Sequence, residues 1–465
     1  MNRWQNQEEA YQYAMSRPAV MLAMDMGTGK TRVAIDVSMD RVDVQRVLVV
    51  CPKAVLDVWP KELQKHSDGR LYEVYTKPKK VKICDIAKEV KTFCTPKVAP
   101  ASTRYVVINY DSVWRRELGD VVLRAGFDMV ILDESHRAKS ASSKVSRFLA
   151  LLAKRTKYRL CLSGTPMANS PLDIYGQYRF LDNTIFGTNH SLFMQEYAVM
   201  GGPERRFVVG FKNQKKLNEK FQSIAYSCSM SDVSQQLKLP ESLPPTSRYV
   251  DLPPKDMRTI RGLAKEFIAE CSTGKMVVLN NALTRVLRMQ QIAAGFCQVQ
   301  DDPGGPSWIE DLNTAKKDGL EDYLEDIPMS ENVVVFCVFK HDLDAIRDVA
   351  LKCGRMPFEL SGRENSLEHW KIKRGGVLAV QIQAGAEGVD MTVSRHAVYF
   401  TLPHSLFLYE QSKARLYRPG QKWPVSFMHL LAAGTIDEVI YNSLIRKKDL
   451  IEAIKDGSLD YGLLK

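Results

Sequence analysis

Short, continuously apolar runs separated by longer helix-patterned stretches restrict this chain more than any other feature. They read AVMLAM (Ala19–Met24), RVLVV (Arg46–Val50), YVVIN (Tyr105–Asn109), MVILD (Met129–Asp133) and RLCLS (Arg159–Ser163). Runs this short and this rich in β-branched residues are strands buried on both faces. Their alternation with helices predicts an α/β fold built on parallel sheets. The pattern lapses from about Phe180 to Ile327, where polar, amphipathic helix candidates such as LTRVLRMQQIAAGF (Leu283–Phe296) take over. It resumes at VVVFCVF (Val333–Phe339), GVLAVQ (Gly376–Gln381), AVYFT (Ala397–Thr401) and SFMHLL (Ser426–Leu431), which predicts a second α/β domain. The proline-rich LPESLPPTSRYVDLPP (Leu239–Pro254) is expected to be an extended linker, and DDPGGPS (Asp301–Ser307) an exposed turn.

At 465 residues the chain is too long for one core, so two or three domains are expected. Lys+Arg exceed Asp+Glu by 65 to 54, a net charge of +11 that favours a polyanionic partner without requiring one. Nine scattered cysteines, none in a Cys-x-x-Cys pair, speak against a disulfide framework or a zinc site. The polar start MNRWQNQEEAYQ is not a signal sequence, and no apolar run approaches bilayer length. A soluble, cytoplasmic protein is expected, in a host cytoplasm if the source is viral.

Three segments carry the chemistry of the first half. AVMLAM runs into DMGTGKT (Asp25–Thr31) and then a helix candidate. Glycines let backbone N–H groups turn toward phosphate, a lysine reaches the β- and γ-phosphates, and a threonine hydroxyl ligates Mg²⁺. Asp25 stands where the full phosphate-loop pattern has glycine. Only the Gly-Lys-Thr end matches, and an ordinary glycine turn is the competing reading. MVILDESH places Asp133 and Glu134 at a strand end, where ligands bind in open α/β sheets. One carboxylate there can hold Mg²⁺ through water while its neighbour orients the attacking water. An isolated Asp-Glu pair would more simply cap a helix. SGTPMANS (Ser163–Ser170) follows a third strand and by itself reads as a Ser/Thr turn.

Taken in order, GTGKT, DESH and SGTP resemble motifs I, II and III of superfamily-two helicases and translocases. VLAVQIQAGAEGVDM (Val377–Met391) resembles motif V, and EQSKARLYRPGQ (Glu410–Gln421) resembles motif VI in the form of the Swi/Snf family of DNA translocases. CPKAVLDVWPKEL, YVVINYDSV and VVVFCVF with FELSGR are similar to motifs Ia, Ib and IV, so the resemblance spans nearly the whole chain. GTIDEVIYNSLIRKKDL (Gly434–Leu450) is similar to the helix that braces the two lobes. There are departures: the family usually has Leu for Thr28, Ala for Ser135, Asn for Asp390 and Ile for Pro419. With no chromatin-reading module in view, a minimal motor of bacterial or phage type is expected.

The resemblance implies two tandem RecA-like lobes. It puts the first at 1–240 with a helical insertion at about 185–238, and a linker at 241–254. The second lobe then runs 255–465, with an insertion at about 255–325 and a brace helix at about 435–452. ATP and Mg²⁺ are the implied cofactors. Met26, Gly27, Thr28, Gly29, Lys30 and Thr31 would contact ATP from lobe one. Gln7 is the candidate adenine reader, with a solvated helix glutamine as the other reading. Gly388, Asp390, Arg415 and Arg418 would contact ATP from lobe two. Thr31 and Asp133 would hold Mg²⁺, and Lys30, Asp133, Glu134, Arg415 and Arg418 would be catalytic. The i, i+3 spacing of the two arginines is expected to set both on one helix face, with Arg418 at or just past its end.

His136, Ser163, Thr165 and Gln411 would couple the site to the polymer. Lys53, Tyr110, Thr165, Ser361, Gly362 and Gln383 would line a nucleic-acid track, with KPKKVK (Lys77–Lys82) and ERRFVVGFKNQKK (Glu204–Lys216) adding charge. The implied activity is ATP-driven movement of a monomer on double-stranded or branched DNA without sequence preference. Such a motor would remodel forks or displace bound proteins, alongside a replication, recombination or transcription protein. A strand-separating DNA or RNA helicase and an ATP-gated clamp for a protein partner are the alternatives.

Overall fold

The structure is a computed structural model. It describes residues 3–78, 81–95, 102–167, 170–201, 207–272, 279–300, 307–385 and 389–456. Two compact units emerge, the first formed mainly by Met1–Met200 with Val208–Lys238, the second mainly by Leu239–Lys448. Each centres on an all-parallel sheet, as the apolar runs predict.

The first sheet contains β1 (Ala19–Met24), β2 (Arg46–Cys51), β3 (Tyr72–Thr76), β4 (Thr103–Asn109), β5 (Met129–Asp133) and β6 (Tyr158–Leu162). A separate two-stranded sheet of β7 (Ala198–Gly201) and β8 (Phe207–Phe211) follows, and β9 (Ala225–Cys228) returns to the main sheet. The strand order is β3-β4-β2-β5-β6-β1-β9. Every residue of β1 and β5 is buried. Val20, Leu22 and Met24 share one core with Val49, Ile131 and Leu160, while the alternate residues Met21 and Ala23 are equally buried. A strand apolar at every position is therefore a strand covered on both sides. Helix α1 (Gln5–Met15) buries Ala10 and Ala14 in the same core as Val33 and Val37 of helix α2 (Lys30–Asp40).

In the second unit, β10 (Thr246–Val250) comes first, and β11 (Phe296–Gln300) and β12 (Ser307–Asp311) form a separate antiparallel pair. Next come β13 (Val333–Cys337), β14 (Pro357–Leu360), β15 (Val377–Gln381), β16 (His396–Tyr399) and β17 (Ser426–Ala432). The sheet order is β10-β17-β16-β13-β15-β14. Its core packs Leu320, Leu343, Ile346 and Ala350 against Val333, Val335, Val398 and Leu430.

The proline-rich stretch is extended, but its central Thr246–Val250 is no free linker. It pairs in parallel with Met428–Ala432 as an edge strand, which only a long-range partner can specify. The insertions are not purely helical either, since each contains a two-stranded sheet. Strands β3, β9 and β14 escape an apolar-run criterion because they are short and partly polar. All three are sheet edges, where one side needs no strand partner. The turn expected at Asp301–Ser307 falls, apart from Ser307, outside the described residues. Among the described residues no helix is long and apolar enough to cross a membrane.

Candidate active site

The loops after β1, β6 and β5 leave three adjacent strands at their carboxyl ends. Sheet order therefore assembles the GTGKT, SGTP and DESH segments, which lie far apart along the chain.

The first loop is shaped by glycine. Gly27 and Gly29 have φ of 87° and 90°, in the left-handed region that costs other residues energy. Gly29 is the N-cap of α2 and supplies no side-chain acceptor. The first-turn N–H groups thus have no side-chain cap, and with the positive end of the helix dipole behind them such a turn suits an anion. A Cβ on Gly29 would lie 2.1 Å from Nε2 of Gln7, so the cradle is closely backed. Lys30, next in line, is buried and has no hydrogen-bond or ion-pair partner among the described residues. A buried cation in that state fits a phosphate group. Met26 and Thr31 are half-buried in the same loop.

Two residues are placed differently from expectation. Thr28 is fully buried, and both its amide (3.3 Å) and its hydroxyl (2.7 Å) donate to the Asp25 carbonyl. It staples the turn rather than offering donors to a nucleotide. Gln7 is buried, accepts from Trp4 N at 3.1 Å and directs Nε2 to the Thr28 carbonyl at 3.5 Å. Its amide braces the loop, as does that of Asn6, which donates to the same carbonyl at 3.0 Å.

At the end of β5, Asp133 accepts from Trp59 Nε1 through Oδ2 (2.9 Å) and from Glu134 N through Oδ1 (3.1 Å). Glu134 has φ of 51°, a strained backbone for a non-glycine residue and one found preferentially at functional sites. His136 Nδ1 lies 3.4 Å from Ser163 Oγ and 3.5 Å from Glu134 Oε2. Burial, with smaller contributions from Arg137, Lys139 and Lys30, lowers His136 to about 3, so the ring is neutral at physiological pH. Ser163 Oγ accepts from Thr165 N at 3.2 Å. Thr165 is itself buried, and its Oγ1 has no hydrogen-bond partner among the described residues.

In the second unit the helix Leu406–Lys413 ends before either arginine. Arg415 N and Leu416 N bond three residues back, to Ser412 and Lys413, so the helix tightens into turns. The shared helix face expected for Arg415 and Arg418 does not exist. Both are half-buried in the turns that Pro419-Gly420 close, Gly420 with φ of 105°. Arg415 O accepts from Met391 N at 3.0 Å, and Arg418 Nη1 donates to Val389 O at 3.4 Å. The motif V and motif VI segments are thereby tied together. Asp390 is exposed, with Oδ1 accepting from Thr392 N, and Gly388 lies outside the described residues. Gln411 is buried, and its Oε1 has no partner among the described residues.

A family model described as "SNF2-related domain" matches residues 4–285, more than half of the chain. The chain belongs to the SNF2-related family. It is 23% identical over 472 residues to the "DNA annealing helicase and endonuclease ZRANB3" of Bos taurus, covering 97% of this chain and 40% of that one. It is 23% identical to the "DNA repair and recombination protein RAD54-like" of Homo sapiens, covering 95% and 63%. The chain thus spans about two-fifths of the length of the first of these relatives. Among solved structures it is similar to "Sulfolobus solfataricus SWI2/SNF2 ATPase core in complex with dsDNA", at 19% identity and a TM-score of 0.45 over 98% of this chain and 94% of that one.

The residues expected to line a nucleic-acid track in this SNF2-related chain are placed unevenly. Lys53, Gly362 and Gln383 are exposed. Ser361 is half-buried and engages Glu359 and Arg363 N. Tyr110 is a correction. It is buried and its hydroxyl donates to Asp133 O at 2.9 Å, so the ring supports the strand end and is withdrawn from any polymer. In the two basic stretches, Lys79, Lys80 and Glu204–Arg206 lie outside the described residues, and Lys216 is taken up by Glu196.

Sequence reasoning missed Trp59, Asn6, Gly176 and Gln177. Gln177 has no exposed surface; it accepts from Ser135 Oγ at 2.7 Å and donates to Pro166 O at 2.6 Å. None of the four lies in a glycine loop or a charged pair, and their partners are remote in the chain. The one usable signal is a polar or glycine residue interrupting an otherwise apolar helix, as in IYGQYRFL.

Proposed function

We propose that this SNF2-related chain is an ATP hydrolase that moves on double-stranded DNA. The observation that carries the reading is the placement of a side-chain-free helix N-terminus and a buried lysine at the end of β1, and of the Asp133–Glu134 pair at the end of β5, the two strands that flank β6. Lys30 and the amides of α2 would hold the phosphates, and Thr31 with Asp133 would hold Mg²⁺. Bound Mg²⁺ would neutralise charge on the β- and γ-phosphoryl oxygens. Glu134, on its strained backbone, would orient the attacking water. Arg415 and Arg418 would stabilise the charge that develops on the transferred group.

Duplex DNA is the favoured polymer for two reasons. The names of the similar proteins describe action on DNA. A cationic surface also lies beyond the ends of β2, β3 and β4: burial and the neighbouring cations Lys53 and Arg115 lower the Lys77 ammonium below its usual range. Lys144 lies 5.3 Å from the ring of Trp114, the residue before Arg115. Contacts of this kind track phosphates and read no bases, so binding is sequence-tolerant and falls with salt. The motor works as a cytoplasmic monomer in this reading.

The test is the ATPase rate against duplex, single-stranded, forked and four-way DNA, and RNA. Duplex-containing DNA is expected to stimulate most. Equal or greater stimulation by single strands alone overturns the duplex assignment, and displacement of a distant third strand separates a translocase from a stationary clamp.

A further inference from the structure

Between the DESH and SGTP loops run two bridges. The first, His136 Nδ1 to Ser163 Oγ, is long at 3.4 Å. The second passes through the side chain of Gln177, in the helix Ile174–Leu181, and is shorter at both ends. Gln177 Nε2 faces two carbonyls, Pro166 O at 2.6 Å and Asp173 O at 3.1 Å. Both can only accept, so the amide orientation is forced, Oε1 must point to Ser135, and Ser135 must donate. Both polar atoms of this amide are used, with no exposed surface, where unmade hydrogen bonds cost most.

The two ends of the bridge matter. Ser135 is the residue after Glu134, and Pro166 is the residue after Thr165, whose buried hydroxyl has no partner among the described residues. A shift of the SGTP loop must either break the Pro166 bond or carry Gln177 and Ser135 with it. The helix cannot simply slide aside: a Cβ at Gly176 would lie 2.1 Å from Ala138 O and 2.7 Å from Lys139 O, so it is seated on the chain that follows DESH. Lys139 and Asp173 close the same seam at 3.2 Å.

We propose that Gln177 is a positioning residue that makes the placement of Glu134 depend on the SGTP loop, and through it on bound DNA. This rests on the ATPase reading above. It adds that the Ser135–Gln177–Pro166 relay, rather than the His136–Ser163 contact alone, transmits polymer binding to turnover.

The test compares wild type with Ser135→Ala/Gln177→Leu, which removes both polar partners of the Ser135 bond and replaces them with apolar groups. The readout is the ratio of saturating DNA-stimulated turnover to basal turnover, with the thermal midpoint measured in parallel. The ratio is expected to fall roughly tenfold or more while the midpoint stays within a few degrees, the size of one lost positioning contact near a reacting group. Ser135→Ala alone, a smaller change that keeps the Pro166 bond, is expected to lower the ratio severalfold and serves if the double variant does not fold. A wild-type ratio in whichever variant folds overturns the proposal. So does a fall in both rates that only tracks lost folded protein. Wild-type protein that hydrolyses no ATP with any nucleic acid overturns the functional reading itself, and this inference with it.

Discussion

The indole N–H of Trp59 donates to Oδ2 of Asp133 at 2.9 Å, joining residues 74 positions apart. Trp59 has no exposed surface and comes from the helix Val58–His66. The carboxylate proposed to hold Mg²⁺ is thus oriented by a core side chain before any ligand arrives, which is how an outer partner tunes a metal site.

Trp59→Phe keeps an aromatic ring and removes the donor. It is expected to cost about 1.5–3 kcal/mol in urea unfolding, the range for a hydrogen bond to a charged group. The Mg²⁺ concentration giving half-maximal ATPase is expected to rise several-fold. An unchanged Mg²⁺ requirement would show that Trp59 serves packing alone.

Arg415→Ala and Arg418→Ala are expected to lower saturating turnover by about 10³-fold or more, as for other residues that stabilise a transferred phosphoryl group. DNA affinity, measured by anisotropy on a labelled duplex, is expected to change little. If affinity collapses while saturating ATPase survives, the two arginines belong to the DNA surface instead.

The neutral, buried His136 has a defined pH signature. Its folded value of about 3 lies below the ordinary 6.5, so the unfolded chain binds the proton first. Stability therefore falls as pH drops below about 6.5, by up to ~1.4 kcal/mol per pH unit from this group. Asp342, raised by burial to about 6, acts in the opposite sense, losing stability as pH rises from 3.8 toward 6. Comparing His136→Gln with wild type cancels Asp342. The variant is expected to show a shallower loss of stability between about pH 6.5 and 5 in chemical denaturation, and an identical slope would refute the assignment.

Gly176→Ala would ordinarily favour a helix by about 0.5–1 kcal/mol. Here the added Cβ would meet Ala138 O at 2.1 Å, and a backbone carbonyl cannot rotate away. A net destabilisation of about 1–3 kcal/mol is expected from overpacking, seen as a lower thermal midpoint. A raised midpoint would mean that the segment after DESH yields easily.

The buried strands were legible without coordinates, because a strand covered on both faces must be apolar at every position, and β1, β2, β4, β5 and β13 announce that. So was the glycine turn before α2, since Gly27 and Gly29 answer to local backbone geometry. Partners distant in the chain set the rest. Thr246–Val250 becomes a strand only because β17 offers an edge. Arg415 and Arg418 leave the helix because it tightens after Lys413. Tyr110 turns inward to Asp133 O, and Gln177 finds Ser135 and Pro166. Local periodicity and turn chemistry report what a residue needs within a few positions of itself. The direction of a buried hydrogen bond depends on which donors and acceptors the fold brings within about 3 Å, and that is settled only when the sheet order is.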